Sequence, residues 1–409
     1  MIKVNILHYY RKFVEKSRLK TGFLRGKRID IILLIIAIAV IIFITARRVS
    51  VTTEKHEHID ITISSQFGDL FGRDTVNALI LEFEKQNPYL RVQEAGREAP
   101  DAAGSVTGGA DIILFDDSEF GSLLNASALS SLAPYNDTES GTRQWALPLV
   151  TFMDIFVYNI DILQAANLDR PPKTRAEFLS AAMAVAERNR ATQGQKPVYA
   201  YALGLSPDDP AALRREFYPW VWSTGRELHT DMALSGAASD VVAFFGSLNR
   251  GGLLAPRSFE ATGAQRLKEF AEGTIAMMTA SARDIAFLQK AAQGITFGIT
   301  TIPVITYDKN RVGISGIYAG ISSACALPDE AWLFLAFIAE KNNIFAEALG
   351  AVPGIFPGVF ADEYILNDPL YSKAWDIFEA ADIVEYEPGQ PYEEKLNVLI
   401  REKLAEAFR

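Results

Sequence analysis

Sixteen consecutive residues without a charge, Ile31 to Ala46 (IILLIIAIAVIIFITA), constrain this chain more than any other feature. As a helix such a run spans roughly 24 Å, a little short of a hydrocarbon core of about 30 Å. Ile29 and snorkelling flanks bring it across. Lys3, Arg11, Lys12, Lys16, Arg18, Lys20, Arg25, Lys27 and Arg28 all precede the run. That bias puts the N-terminus in the cytoplasm and everything beyond Arg48 outside the cell membrane. The expected order is a cytoplasmic basic segment (1–28), a single transmembrane anchor (29–46) and a polar stalk (47–58) ahead of an extracytoplasmic body. A cleaved signal peptide is the competing reading. A basic region of nearly thirty residues and the lack of a small-x-small site near Thr45 and Ala46 favour the uncleaved anchor.

Charge divides the chain at the same place. Residues 1–48 hold eleven Lys/Arg against Glu15 and Asp30, whereas the remainder has 29 basic and 48 acidic residues and a net charge of −19. An acidic body argues against nucleic-acid binding, which needs a basic stripe facing phosphates. Cys325 is the only cysteine, so neither an intramolecular disulfide nor a lipidated N-terminus is available. Within SSACAL it reads as a small buried apolar residue.

From Ile59 the pattern becomes that of a globular α/β protein, with a length that allows two or three domains. Ile59, Ile61 and Ile63 alternate as a strand. After a QFGDLFG loop, Val76, Leu79, Ile80 and Phe83 recur at helical spacing until Asn87-Pro88. A second strand is expected near Leu90–Val92. Ala110 to Phe115 is unbroken apolar after Asp111, as in a parallel strand covered on both faces. Thr174 with Glu177 forms a capping box opening a helix. Further helices are expected at Ala211–Trp222, Ala237–Asn249, Ala264–Ala271, Asp284–Ala292, Pro328–Glu340 and Tyr392–Phe408. Strands are expected at Tyr199–Leu203, Ile275–Thr279, Thr296–Thr301 and Gly313–Ile321.

No catalytic set is readable: there is no Gly-x-Ser-x-Gly, His-Glu-x-x-His or P-loop. The chain is therefore not read as an enzyme, and neither a cofactor nor a metal is expected. Of the four histidines, His8 lies before the apolar run, His56 and His58 lie in the stalk, and only His229 falls inside the fold. Asp116-Asp117 follows the apolar strand directly, where open parallel sheets meet ligands. The pair reads either as a cap for the next helix or as a hydrogen-bonding site for a polar ligand. Phe217, Tyr218, Trp220 and Trp222 (FYPWVW) read either as core or as rings facing a cleft and stacking on a sugar.

Several segments in order resemble the family 1 extracellular solute-binding proteins of bacterial ABC importers, the group that includes maltose-binding protein. WALPLVTFMDIFVYNIDIL (145–163) resembles the family's proline-containing strand running into a helix. AANLDRPPKTRAEFLSAA follows in the family's manner, and so do FAEGTIAMM (270–278), then FGITTIPV, GISGIYAGISS and ALPDEAWLFLAFI between 297 and 338, and GAVPG (350–354). The resemblance implies the type II periplasmic-binding-protein fold: two α/β lobes with a ligand cleft, preceded here by one N-terminal transmembrane helix. Lobe one would comprise 59–151 and 319–354, lobe two 152–318 and 355–409. Carried over by position, the resemblance points to Gln66, Phe67 and Gly68, to Phe115, Asp116 and Asp117, to Tyr218 and Trp222, to Ser281 and Arg283, and to Gly316, Ile317 and Tyr318 as ligand-binding residues. The implied partners are a small solute, foremost a sugar or oligosaccharide, and the permease subunits of an ABC transporter.

Three departures bear on the ligand. Ser223 to Arg226 replaces a family Gly-Gly, Ala280 to Asp284 (ASARD) lacks a stacking Trp, and Ser315-Gly316 stands for Gly-Gly. Without that Trp a carbohydrate is less firmly implied, and Arg283 favours an anionic group on the ligand. The alternative function is a ligand-sensing module signalling through a separate membrane partner, since about 28 cytoplasmic residues are too few for a signalling domain.

Overall fold

Alternating isoleucines build β1 (Ile59–Ile63), with Ile61 and Ile63 buried. The computed structural model describes residues 58–95, 109–135, 144–191, 196–209, 211–225, 236–305, 311–349, 352–353, 367–385 and 393–409. The expected anchor (29–46), nearly all of the stalk, and His8, His56 and His229 lie outside these. Among the described residues no helix is long and apolar enough to cross a membrane. Ile59–Arg409 forms one compact unit.

The QFGDLFG segment is a helix, α1 (Gln66–Phe71), rather than a loop, and it leads through Gly72 into α2 (Arg73–Gln86). Phe67 and Phe71 make α1 amphipathic enough to pack, with Phe71 4.4 Å from Phe345 between ring centroids. Then come β2 (Leu90–Glu94), β3 (Ile112–Asp116) and α3 (Asp117–Asn125). β1 pairs parallel to both β2 and β3, and β3 is buried along Ile112–Phe115, as its unbroken apolar run requires.

The long β4 (Ala146–Asn159) follows, then α4 (Ile160–Ala165), α5 (Arg175–Ala191) and β5 (Tyr199–Tyr201). At the start of α5 the capping box is only half made. Glu177 N–H donates to Thr174 Oγ1 at 3.2 Å, but the Glu177 carboxylate reaches back to Lys173 N–H at 2.8 Å. The aromatic segment forms two short helices, α6 (Ala212–Glu216) and α7 (Tyr218–Trp222), instead of one. Pro219 lacks the N–H that a continuous helix needs, yet it suits the first turn of a new one.

Beyond these lie α8 (Gly236–Arg250), α9 (Gly263–Ala271), β6 (Ile275–Ser281), a single 3₁₀ turn at Ala282–Asp284, α10 (Ile285–Ala291) and β7 (Phe297–Thr300). The chain closes with β8 (Arg311–Ile321), α11 (Pro328–Glu340), α12 (Asn342–Leu349), β9 (Val352–Pro353), α13 (Pro369–Ala380), β10 (Asp382–Glu385) and α14 (Glu393–Ala407).

Among the described residues the strands form a mixed sheet in the order β2-β1-β3-β8-β4-β6-β5, with β10 beside β8 and both β7 and β9 beside β4. Two strands change partners along their length. β4 lies antiparallel to β8 through Met153 and to β6 from Asp154 onward. β8 lies against β3 over Ile317–Ile321 and against β10 over Arg311–Ile314. A register shift between Pro148 and Val150 accommodates the proline, which has no N–H for the ladder.

The hydrophobic core divides accordingly. One large cluster gathers β6, α5 to α9 and the C-terminal helices around Phe156, Phe178, Tyr201, Trp220 and Phe245. A second gathers β1 to β3, α2 and α11 around Phe67, Phe83 and Phe334, with a satellite at Phe115, Phe120 and Tyr318. β4 and β8 contribute to both large clusters.

Candidate functional site

A cavity of about 280 Å³ opens at the carboxyl ends of the parallel strands β1 and β3, the side of an α/β sheet where ligands meet loop and helix N-termini. Its floor is apolar: Leu70, Leu114, Phe115 and Ile317. Around the rim stand Gln66, Asp69, Asp116, Glu119 and Arg283. An apolar floor with a few convergent polar groups is the ordinary build of a small-molecule site.

Each element places its side chains for a local reason. α1 begins where β1 ends, and its helical spacing puts Gln66, Asp69 and Leu70 on one face. β3 runs straight into α3, so Asp116 and Glu119 again lie three apart on one side. The Glu119 carboxylate accepts from Asp116 N–H at 3.3 Å, and burial raises the Glu119 pKa above the ordinary value.

Arg283 is presented by the 3₁₀ turn after β6. Ser281 Oγ accepts from Arg283 N–H at 3.3 Å, while Ser281 N–H donates to Asp284 at 2.9 Å. The Arg283 guanidinium then lies over the Phe152 ring, 5.4 Å from its centroid, a cation–π contact that holds it at the rim.

Of the thirteen residues expected at the site, Gln66, Phe115, Asp116, Arg283 and Ile317 line this cavity. Phe67 turns into the second core at 1% exposure because it is the buried side of α1. Gly68 is where α1 passes closest to Glu94: a Cβ there would lie 2.4 Å from the Glu94 carboxylate. Ser281 acts through the turn it caps.

Asp117 and the residues around it form a polar core just behind the cavity floor. Asp117 Oδ2 accepts from Gly316 N–H at 2.8 Å, and the Tyr318 hydroxyl adds a second hydrogen bond. Burial pushes the Asp117 carboxyl up to about 7, although the nearby Arg214 guanidinium and these hydrogen bonds pull the other way. The lack of a side chain at Gly316 lets the Tyr318 phenol fold back over it, since a Cβ would sit 2.8 Å from that ring.

Tyr218 and Trp222 do not face the cavity. The FYPWVW segment is buried throughout, because α6 and α7 are too short to have a solvent side once packed against β8 and α8. The Tyr218 hydroxyl donates to Asn397 Oδ1 at 2.6 Å. Trp222 lies flat enough on β8 that a Cβ at Gly313 would overlap its ring. The guanidinium of Arg214 lies over that ring, 4.6 Å from its centroid, and donates to both oxygens of Asp154 at 3.2 and 2.9 Å. Asp154 is wholly enclosed, and burial lifts its carboxyl to about 6 against the pull of Arg214.

Asp69, Leu70, Leu114 and Glu119 line the cavity without having been singled out as site residues. The signal for Asp69 was its three-residue spacing from Gln66, hidden by reading the segment as a loop. Asp154 carried a plainer signal: it is the single charge in a fourteen-residue strand, and a buried charge demands a partner. Among the described residues no group of three or more His, Cys, Asp or Glu side chains is arranged to hold a metal ion. The half-buried Cys325 thiol is pushed up to about 11, chiefly by burial, and packs against the second core, so it remains a protonated apolar contact.

Solved structures similar to this one are numerous. A cyclic α-maltosyl-1,6-maltose binding protein from Arthrobacter globiformis matches with a TM-score of 0.67 at 16% identity, covering 86% of this chain and 94% of that one. UgpB from Mycobacterium tuberculosis, in complex with glycerophosphocholine, matches with a TM-score of 0.62 at 20% identity, covering 85% and 98%. The GacH receptor of Streptomyces glaucescens, seen unliganded and with acarbose, matches with a TM-score of 0.61 at 16% identity, covering 85% and 93%. These likenesses show the shared fold. Among curated proteins, no sequence match is found. Residues 75–374 match the family described as bacterial extracellular solute-binding protein, and the chain belongs to that family.

Proposed function

We propose that this chain is the membrane-anchored receptor of an ABC importer, which binds a sugar or oligosaccharide between two lobes and delivers it to a permease. The observation that carries this reading is the cavity at the ends of β1 and β3, with an aromatic and aliphatic floor beneath a rim of hydrogen-bonding groups. Phe115 offers an apolar face of the kind on which a sugar ring packs, while Gln66, Asp69, Asp116 and Glu119 accept from hydroxyl groups. Relatives of the same fold bind acarbose and cyclic maltosyl-maltose. Among the described residues Arg283 is the sole basic group at the rim beside three carboxylates, which favours a neutral polyol over an anion.

The lobes follow the two cores, with one boundary in β4 near 151–154 and another in β8 near 314–318. Residues 29–46 are the anchor, which keeps the receptor concentrated near its permease. Ligand binding selects the closed arrangement of the lobes, and the permease reads that arrangement.

A thermal-shift screen of the full chain against neutral mono- and oligosaccharides, sugar phosphates, amino acids and polyamines tests this. A ligand at about 100 times its Kd stabilises the fold by about 2.7 kcal/mol. A neutral saccharide that raises the melting temperature, with the rise lost in Asp116→Asn, supports the proposal. A response confined to amino acids or polyamines, or to none of the panel, overturns the sugar assignment.

A further inference from the structure

The cavity at the ends of β1 and β3 is small for a saccharide site, and its volume, its apolar face and its polar rim agree on how much of a saccharide it holds. At about 280 Å³ it falls just under the usual low end of ligand pockets, roughly 300 Å³. At the packing density of protein interiors a hexose needs roughly 200 Å³ and a disaccharide roughly 390 Å³. One ring therefore fits with space for about two waters, and two rings do not.

The apolar lining leads to the same count. Phe115 is the only aromatic side chain on the cavity wall among the described residues. Its plane is fixed by its neighbours: the Phe120 ring lies parallel to it within 3°, 5.5 Å away between centroids, and the Tyr318 ring within 24° at 6.1 Å. Both neighbours are buried, so neither turns out to form a second platform. Tyr218 and Trp222, the other rings expected at the site, are packed into the first core, and the turn after β6 presents Arg283 rather than a ring. Burying the apolar face of a sugar takes a surface of its own size, so a second ring joined to the first would project past Phe115 into water.

Polar side chains reach the rim from three separate segments: Gln66 and Asp69 from α1, Asp116 and Glu119 from the junction of β3 and α3, and Arg283 from the turn after β6. All five face one cavity with one platform, a complement that matches the hydroxyls of a free hexose. A glycosidic bond takes away one of those hydroxyls and sets bulk where a rim group stands. A rim carboxylate covered without a partner costs a longer saccharide affinity, and no second platform returns it.

We propose, resting on the reading of the cavity as a saccharide site, that it takes a single ring: a neutral monosaccharide of hexose size rather than an oligosaccharide. The volume sets the upper limit, Phe115 supplies the platform, and the rim groups recognise a ring whose hydroxyls are free.

Titration calorimetry on the full chain tests this, with each monomer set beside its own oligomers: glucose with maltose, cellobiose and maltotriose, galactose with galactobiose, and mannose with mannobiose and mannotriose. At least one monomer is expected to bind, about tenfold tighter than its own disaccharide and with no gain at the trisaccharide. A disaccharide or trisaccharide that binds more tightly than its monomer overturns the proposal and leaves the saccharide reading in place, whereas silence at every length overturns both. A second measurement addresses the platform. Phe115→Leu keeps an apolar side chain in the floor but removes the flat face, and it is expected to weaken the bound monomer about fivefold. A monomer affinity unchanged in that variant also overturns the proposal.

Discussion

Gly313 shows how much of the junction depends on a single missing methyl group. A Cβ there would overlap the Trp222 ring and lie 2.4 Å from Asp154 Oδ2. Both neighbours are fixed, the ring by Arg214 above it and the carboxylate by its hydrogen bonds to Arg214. Gly313→Ala is therefore expected to cost about 1–3 kcal/mol or more, read as a lower midpoint in urea. Buried carboxylates give a prediction of opposite character. Asp117 and Glu216 titrate near 7 and Asp154 near 6, in each case chiefly because burial penalises the charged form. Between about pH 4 and 7 the unfolded chain releases these protons while the folded chain retains them, so rising pH favours unfolding across that window. These three groups make melting temperature fall from about pH 4.5 to 7, and Asp117→Asn should make the fall shallower. A slope that is unchanged in the variant would show that Asp117 ionises in the folded state as it does in water. Asp116, by contrast, is exposed at the rim. Asp116→Asn should leave stability within about 0.5 kcal/mol and weaken solute binding about tenfold or more, measured by calorimetry.

Elements with a strong period were legible before the structure. Helix α11 has the expected bounds, Pro328–Glu340, because Pro328 starts it and Ala331, Phe334, Leu335 and Ile338 form its buried stripe. Strands β6 and β8 extend the expected runs by two residues each. What stayed hidden has physical causes. Helix α1 is six residues with Gly68 inside it and Gly72 just after it, so its local sequence reads as a turn until Phe345 arrives to cover Phe71. The aromatic run of α7 gave no hint of direction, since a fully buried helix has no polar face to mark the solvent. The polar core of Asp117, Arg214 and Asp154 joins residues up to 97 apart and no local pattern announces it, which is why Asp117 looked like a ligand contact. Helix caps were read only in part. The capping box expected at α5 has one arm displaced to Lys173, whereas at α9, where no cap was read, both arms are made, Thr262 with Gln265. Thr262→Ala should consequently lower stability by about 1 kcal/mol in a denaturant titration.

At the scale of the whole molecule, the same two strands that place the cavity also bind the cores to one another. β4 and β8 supply Val150, Phe152, Ile317 and Ala319 to the second core and Phe156, Val157, Val312 and Ile314 to the first. Neither core can lose its packing without releasing strands that the other uses, so the body should unfold in one transition although it has two hydrophobic centres. Phe83 anchors the second core through Phe334, 5.0 Å away between centroids, and Phe156 anchors the first through Phe178 and Trp220. Each residue cut to Ala should cost about 3–5 kcal/mol. In scanning calorimetry, Phe83→Ala and Phe156→Ala are each expected to move a single peak to lower temperature, with calorimetric and van't Hoff enthalpies still in agreement. Two peaks, of which each variant moved a different one, would mean that β4 and β8 act as a flexible joint between independently stable lobes. A receptor of that second kind opens and closes without cost to its cores, whereas a single transition requires closure to work through the crossing strands, where Asp117 and Gly316 meet.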